Sequence, residues 1–285
     1  MQHDPLRTAP LKSDPAAAVL SAPASLCLDF AGTRLELASD SARWLELVAE
    51  RYGAFAVPGP PSFVVSYRVE DQEPPFELLA ARRGSVTHDV VDHRPGGFSV
   101  EGPAYRAEVD LTRATASVCG PLSWYPIDRL LTILLPLVLS DTLILHAAAL
   151  QDGDRAFVCA GPSGCGKSTL AGLLPENALC DELVAVRRRG PGWEVRSLPF
   201  WTARPGAARL AEIMLLRHGH YHRRRALTPV AGLRALQREV VWPLGSSEAV
   251  GMVFRNLTAL LDSIPVVELE FCPRADVWAV IAGAA

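Results

Sequence analysis

A chain of 285 residues with 49% hydrophobic and 21% charged side chains is long enough for one large or two modest domains, and its composition excludes wholesale disorder, a collagen-like repeat and a coiled-coil rod. The formal net charge of −3 provides no global attraction to nucleic acid or to an anionic membrane surface, so neither partner is expected. Of the 28 basic residues only Lys12 and Lys167 are lysines, which makes Lys167 a candidate for chemistry that arginine's planar fork cannot perform.

Residues 1–23 carry charges and prolines where an export signal needs an apolar run, and they read as a flexible leader. Ser25 to Leu37 reads as two short strands around a glycine-containing turn, followed by the helical spacing of SARWLELVAERYG. The PGPPS loop releases the strand FVVSYRVE, and a second loop contains Pro74 and Pro75. FSVEG, YRAEVDLT and RATASVCG alternate apolar and polar residues and predict an antiparallel meander. Tyr125 to Leu139 predicts a buried helix, since its apolar run is interrupted by Asp128, Arg129 and Pro136 and is shorter than the roughly 20 residues of a membrane span.

Two nearly continuous apolar strands follow, LILHAAAL and AFVCA, joined by QDGDR. Beyond them the pattern predicts a glycine-rich loop, a short helix, the strands ALCDELVAV, WEVRS and AEIMLLRHG, helices over 229–240 and 248–263, the strand PVVELEF and a closing helix. The expected organisation is a leader over 1–23, an α+β region over 24–122 that selects the substrate, and a catalytic domain over 123–285. Six scattered cysteines without zinc-type spacing read as reduced thiols, and the expected location is cytoplasmic.

Gly161, Pro162, Ser163, Gly164, Cys165, Gly166, Lys167 and Ser168 match the G-x-x-x-x-G-K-[ST] phosphate-binding loop. The glycines let main-chain N–H groups turn inward around phosphates, and the helix that begins near Lys167 directs its positive end at the same anions. Lys167 is placed to reach the β and γ phosphates of ATP and Ser168 to ligate the bridging Mg²⁺, with Thr169 one position further into the helix. The strand AFVCA enters the loop and STLAGLL leaves it, the strand-loop-helix context that the motif requires. Asp181 and Glu182 follow after only a short helix. Adjacent residues of a strand face opposite ways, so one carboxylate serves as base and the other lies near metal, unless the strand is distorted; a solvated strand edge is the competing reading.

LILHAAAL, GPSGCGKSTL and ALCDELVAV together resemble the catalytic domain of the HPr kinase/phosphorylase family and its relatives among bacterial peptide-tailoring kinases. The resemblance covers about the last half of the chain. It implies an α/β fold, a P-loop kinase domain with a mixed sheet related to phosphoenolpyruvate carboxykinase, and ATP- and Mg²⁺-dependent transfer to a serine-type hydroxyl. Asp181 then matches the general base, Glu182 the second acidic position, Ser168 the metal-contacting serine and His146 the histidine near the phosphates, where a hydrogen-bonded core histidine is the plainer reading. The Arg-Gly-x-Gly signature of the true HPr enzymes is absent. SLPFWTARPG stands in that region and resembles the PFW segment of HPr-kinase-like proteins found beside peptide-modifying enzymes, which argues against HPr as substrate and against phosphorolysis. The expected acceptor is a peptide or small protein, and family relatives include homo-oligomers.

Arg204, just after PFW, reads either as a contact to phosphate or substrate carboxylate or as a surface arginine. The run Arg217 to Arg225 reads as a solvated loop between strand and helix, or as a clamp for an acidic peptide. Two other function classes remain open: an ATP-binding regulatory or scaffold module, and a small-molecule kinase or NTPase.

Overall fold

The first sheet begins with a hairpin of β1 (Ala24–Phe30) and β2 (Thr33–Ser39), closed by Ala31 and Gly32, both at positive φ. Helix α1 (Ala42–Tyr52) starts where the Ser41 side chain accepts from the Trp44 N–H, and it buries Trp44, Val48 and Tyr52 at four-residue spacing. It carries the chain over to β3 (Phe63–Val69), which lies parallel to β2. The meander follows as β4 (Val90–Arg94), β5 (Gly97–Gly102), β6 (Tyr105–Asp110) and β7 (Thr115–Gly120), each antiparallel to the next, and β7 closes against β3 in parallel. The computed structural model describes residues 24–70, 89–200 and 202–283. The leader with Lys12, the loop with Pro74 and Pro75, and Trp201 of the PFW segment lie outside the described residues.

Helix α2 (Tyr125–Val138) leads to the second sheet. Ile127, Leu130, Leu131 and Leu134 on this helix are fully buried in a cluster that includes Phe30, Val65 and Phe98 of the first sheet and Ile144, Leu183 and Ala185 of the second. The second sheet is built from β8 (Thr142–Asp152), β9 (Arg155–Ala160), β10 (Ala178–Cys180), β11 (Leu183–Arg189), β12 (Gly192–Ser197), β13 (Ala207–His218), β14 (Arg223–Ala226) and β15 (Val266–Phe271). Its ladders β8–β11, β11–β12, β12–β13, β13–β9 and β9–β8 form a closed circuit, with β15 and β14 extending from β13. Both sheets mix parallel and antiparallel neighbours, so the chain is mixed α/β.

The apolar runs of β8 and β9 reflect burial on both faces. Leu143, Leu145, Ala147 and Ala149 of β8, with Ala156 and Val158 of β9, pack under α4 (Pro229–Leu236) and α5 (Ser247–Ser263) through Leu236, Val253, Leu257 and Leu260. The alternate residues Ala148, Leu150, Phe157 and Cys159 pack with Leu170 of α3 (Lys167–Leu173) and Val277 and Ile281 of α6 (Val277–Ala282). Among the described residues no helix is long and apolar enough to cross a membrane.

Three sequence expectations are corrected. ALCDELVAV is two strands, broken at Asp181 and Glu182, and β10 pairs with β8 through a bulge between Ala178 and Cys180. The helix expected over 229–240 stops at Leu236, and the chain turns so that Val240 bridges Leu145. The basic run is not wholly a loop, since Arg223–Ala226 forms an edge strand on β15.

The Asp128 carboxylate, buried inside α2, is held by the Arg51 guanidinium at 2.5 Å and by the Tyr52 hydroxyl. Burial raises its pKa, which Arg51 and the Tyr52 hydroxyl oppose. Removing the arginine leaves that carboxylate without its counter-charge in the shared core. Arg51→Ala is expected to lower unfolding stability by about 3 kcal/mol, measured by urea denaturation.

Candidate functional site

The C-terminal ends of the parallel strands β9, β13 and β15 lie together, and the glycine-rich loop leaves the sheet there. From β9 the chain enters Gly161, Gly164 and Gly166 with φ of 150°, 83° and 105°. All three values favour glycine, and at Gly166 a Cβ would also meet the Phe271 ring at 2.7 Å. Gly166 is the N-cap of α3 and offers no side chain to the helix's first N–H groups, which also lack intrahelical acceptors.

Lys167 is 7% exposed. Its Nζ donates to the Gly161 carbonyl at 2.6 Å. That contact uses one of three ammonium donors, and among the described residues no carboxylate lies at ion-pair distance from it. Ser163, Ser168 and Thr169 are exposed, as are Pro162 and Gly164. Cys165 is buried beneath it, and burial raises its thiol pKa against the opposing charge of Lys167. A thiol so placed fills space and is not a nucleophile at neutral pH.

His146 lies on β8 one residue before Ala147, which pairs with Ala160 at the mouth of the loop. Its Nε2 is 3.2 Å from Glu182 Oε1, and its Nδ1 is 3.8 Å from Glu239 Oε2. Glu182 lies opposite Ala147, whose N–H donates to its carbonyl at 3.0 Å, and its carboxylate reaches His146 where the strand is broken at Asp181 and Glu182. Asp181 accepts a hydrogen bond from the Thr202 hydroxyl at 2.6 Å.

The fold therefore gathers the loop, Lys167, His146, Asp181 and Glu182 around one end of the second sheet. Arg204 is committed elsewhere: its guanidinium donates to the carbonyls of Ala178 at 2.7 Å and Glu176 at 3.3 Å. Its N–H donates to the Leu179 carbonyl at 2.9 Å, so it ties the segment after PFW to β10. In the basic run, Arg217 and Arg225 pair with Glu268, Arg223 with Glu270 and Arg224 with Glu212. Those partners neutralise much of the charge that an acidic peptide would seek.

Three site residues escape sequence reasoning. Glu239 is buried and fixed by a hydrogen bond from the His146 N–H to its carbonyl at 2.7 Å, but in the sequence it looks like one more acid of an amphipathic helix. His218 pairs with Phe271 across β13 and β15, stacks on its ring, and holds the Gly164 carbonyl at 2.7 Å through Nε2. A carbonyl only accepts, so Nε2 carries the proton. Thr202 is the third. Beside its segment a cleft of about 350 Å³ opens between the sheets, lined by Asp29, Phe55, Arg196, Pro205 and Gly206.

Gly166→Ala is expected to destabilise the protein by about 1–3 kcal/mol, the cost of a strained backbone conformation, with a further loss from the Phe271 contact. Chemical denaturation measures this directly, and a variant as stable as wild type would mean that the loop does not hold this conformation. No protein-family model matches the chain and no curated protein matches it.

Proposed function

We propose that the chain is an ATP-dependent phosphotransferase that passes the γ-phosphoryl group to a serine-type hydroxyl of a peptide or small protein. The observation that carries this reading is the Lys167 ammonium, buried in a glycine loop at a helix N-terminus with a single carbonyl partner. A buried cation without an anion costs several kcal/mol. Polyphosphate at the loop supplies that anion, and the exposed Ser163, Gly164 and Ser168 leave room for it.

In this reading the main-chain N–H groups of the loop and Lys167 bind and orient the β and γ phosphates, and they stabilise the charge that develops on them. Ser168 and Glu182 offer oxygen donors of the kind Mg²⁺ accepts, and Mg²⁺ when bound neutralises phosphate charge and aligns the transferring group. Among the described residues no group of three or more His, Cys, Asp or Glu is placed to hold a metal alone. The ion's remaining ligands would therefore be phosphate oxygens and water, its usual company in such sites. His146 fixes the Glu182 carboxylate and is itself fixed by Glu239. Asp181, free of that pair, is left to take the proton of the attacking hydroxyl.

The resemblance to the HPr kinase/phosphorylase family fits this division of labour, with the P-loop kinase domain over 123–285 and the region over 24–122 as the acceptor-selecting part. The cleft between the sheets supports that role for the first sheet, since Asp29 and Phe55 form one wall and the segment after Thr202 the other.

Lys167→Ala is expected to lower ATP turnover about 10²–10³-fold, and Lys167→Arg should not restore it because the planar guanidinium does not fit the ammonium's place. Wild-type turnover in either variant would remove the loop from the reaction. Asp181→Asn should keep ATP affinity while transfer from γ-labelled ATP to serine peptides encoded beside this protein falls about 10²–10⁴-fold. Undiminished transfer would exclude Asp181 as the base.

A further inference from the structure

The hydroxyl hydrogen-bonded to the Asp181 carboxylate belongs to the chain itself. Thr202 Oγ1 lies 2.6 Å from Asp181 Oδ1, the range of a charge-assisted bond between a hydroxyl and a carboxylate. Thr202 is exposed, so water could satisfy its hydroxyl as well and nothing in the core demands this partner. The segment that carries it is pinned on both flanks. Arg204 binds the main chain of Glu176, Ala178 and Leu179, while Ser197 holds the Arg204 carbonyl at 2.6 Å through its hydroxyl and the Gly206 carbonyl at 3.2 Å through its N–H. These anchors tie Thr202 to β10, the strand just before Asp181, and preorganise the contact.

We propose that Thr202 is a phosphoryl acceptor, modified in cis by the site it borders. The inference rests on the phosphotransferase reading above. Thr202 Oγ1 attacks the γ-phosphorus of ATP, an O–P bond forms, the bond from the γ-phosphorus to the β–γ bridging oxygen breaks, and ADP leaves. The hydroxyl proton passes to the Asp181 carboxylate and from there to water, so the products are phosphothreonine, ADP and a proton. The acceptor site therefore takes a side-chain hydroxyl presented from an anchored segment, and that geometry describes the class of external substrate as well.

The test incubates the full chain with Mg²⁺ and ATP, locates phosphate by tandem mass spectrometry, and measures ATP binding and ADP release in the same samples. Phosphate is expected on Thr202, at a first-order rate that does not change when the protein is diluted. Incorporation should fall to background in Thr202→Val and in Asp181→Asn, and Thr202→Ser should be phosphorylated at the new hydroxyl. ATP binding with ADP release or peptide labelling, but with Thr202 unmodified, overturns the proposal and leaves the phosphotransferase reading standing. A rate proportional to protein concentration overturns transfer in cis. Failure to bind ATP at all overturns the phosphotransferase reading, and this inference with it.

Discussion

The backbone hydrogen bonds of β8 fix the position of nearly every group in the site. On one edge the strand pairs with β9 and then, past Ala147, with the segment around Val240; on the other it pairs with β10 and β11. His146 stands where these partners change over, between the P-loop mouth, Glu182 and Glu239. A one-residue slip of β8 would turn His146 to the opposite face and exchange the two apolar layers that the strand serves. The alternation of its buried residues between those layers makes such a slip costly, so the same hydrophobic pattern that builds the core also positions the polar groups.

Charge is distributed unevenly around that frame. The arginines of β14 and the end of β13 are paired with Glu212, Glu268 and Glu270, and Arg196 joins Asp29 on the first sheet to Glu194. Lys167 alone among these cations is buried with only a carbonyl for company. Among the described residues the half-buried arginines Arg51, Arg129, Arg155, Arg187 and Arg196 each have a carboxylate partner, and Lys167 is the exception.

Much of this was legible in the sequence, because it depends on local rules. The loop motif, the β8–β9 and β1–β2 hairpins, the meander and the long helix ahead of β8 all follow from turn residues and from periods of two or 3.6. What was not legible depends on pairing between distant segments. Glu239 becomes a site residue only because the chain leaves α4 early to bridge β8. No residue nearby announces the strand break at Asp181 and Glu182 or the bulge of β10 against β8. Arg223, Arg224 and Arg225 look solvated until their acidic partners on β13 and β15 are known, and β4 was missed because its residues are nearly all exposed and show no alternation.

The closed circuit of ladders in the second sheet has a dynamic consequence. A strand at an open edge frays by losing one set of hydrogen bonds, whereas β9 has a neighbour on both sides and cannot peel away alone. Amide hydrogens of β8, β9 and β13 should therefore exchange with solvent only through global unfolding, while those of β4 and β14 exchange through local opening. The glycine-rich loop grows out of this doubly paired strand, so the strand that delivers its glycines stays fixed.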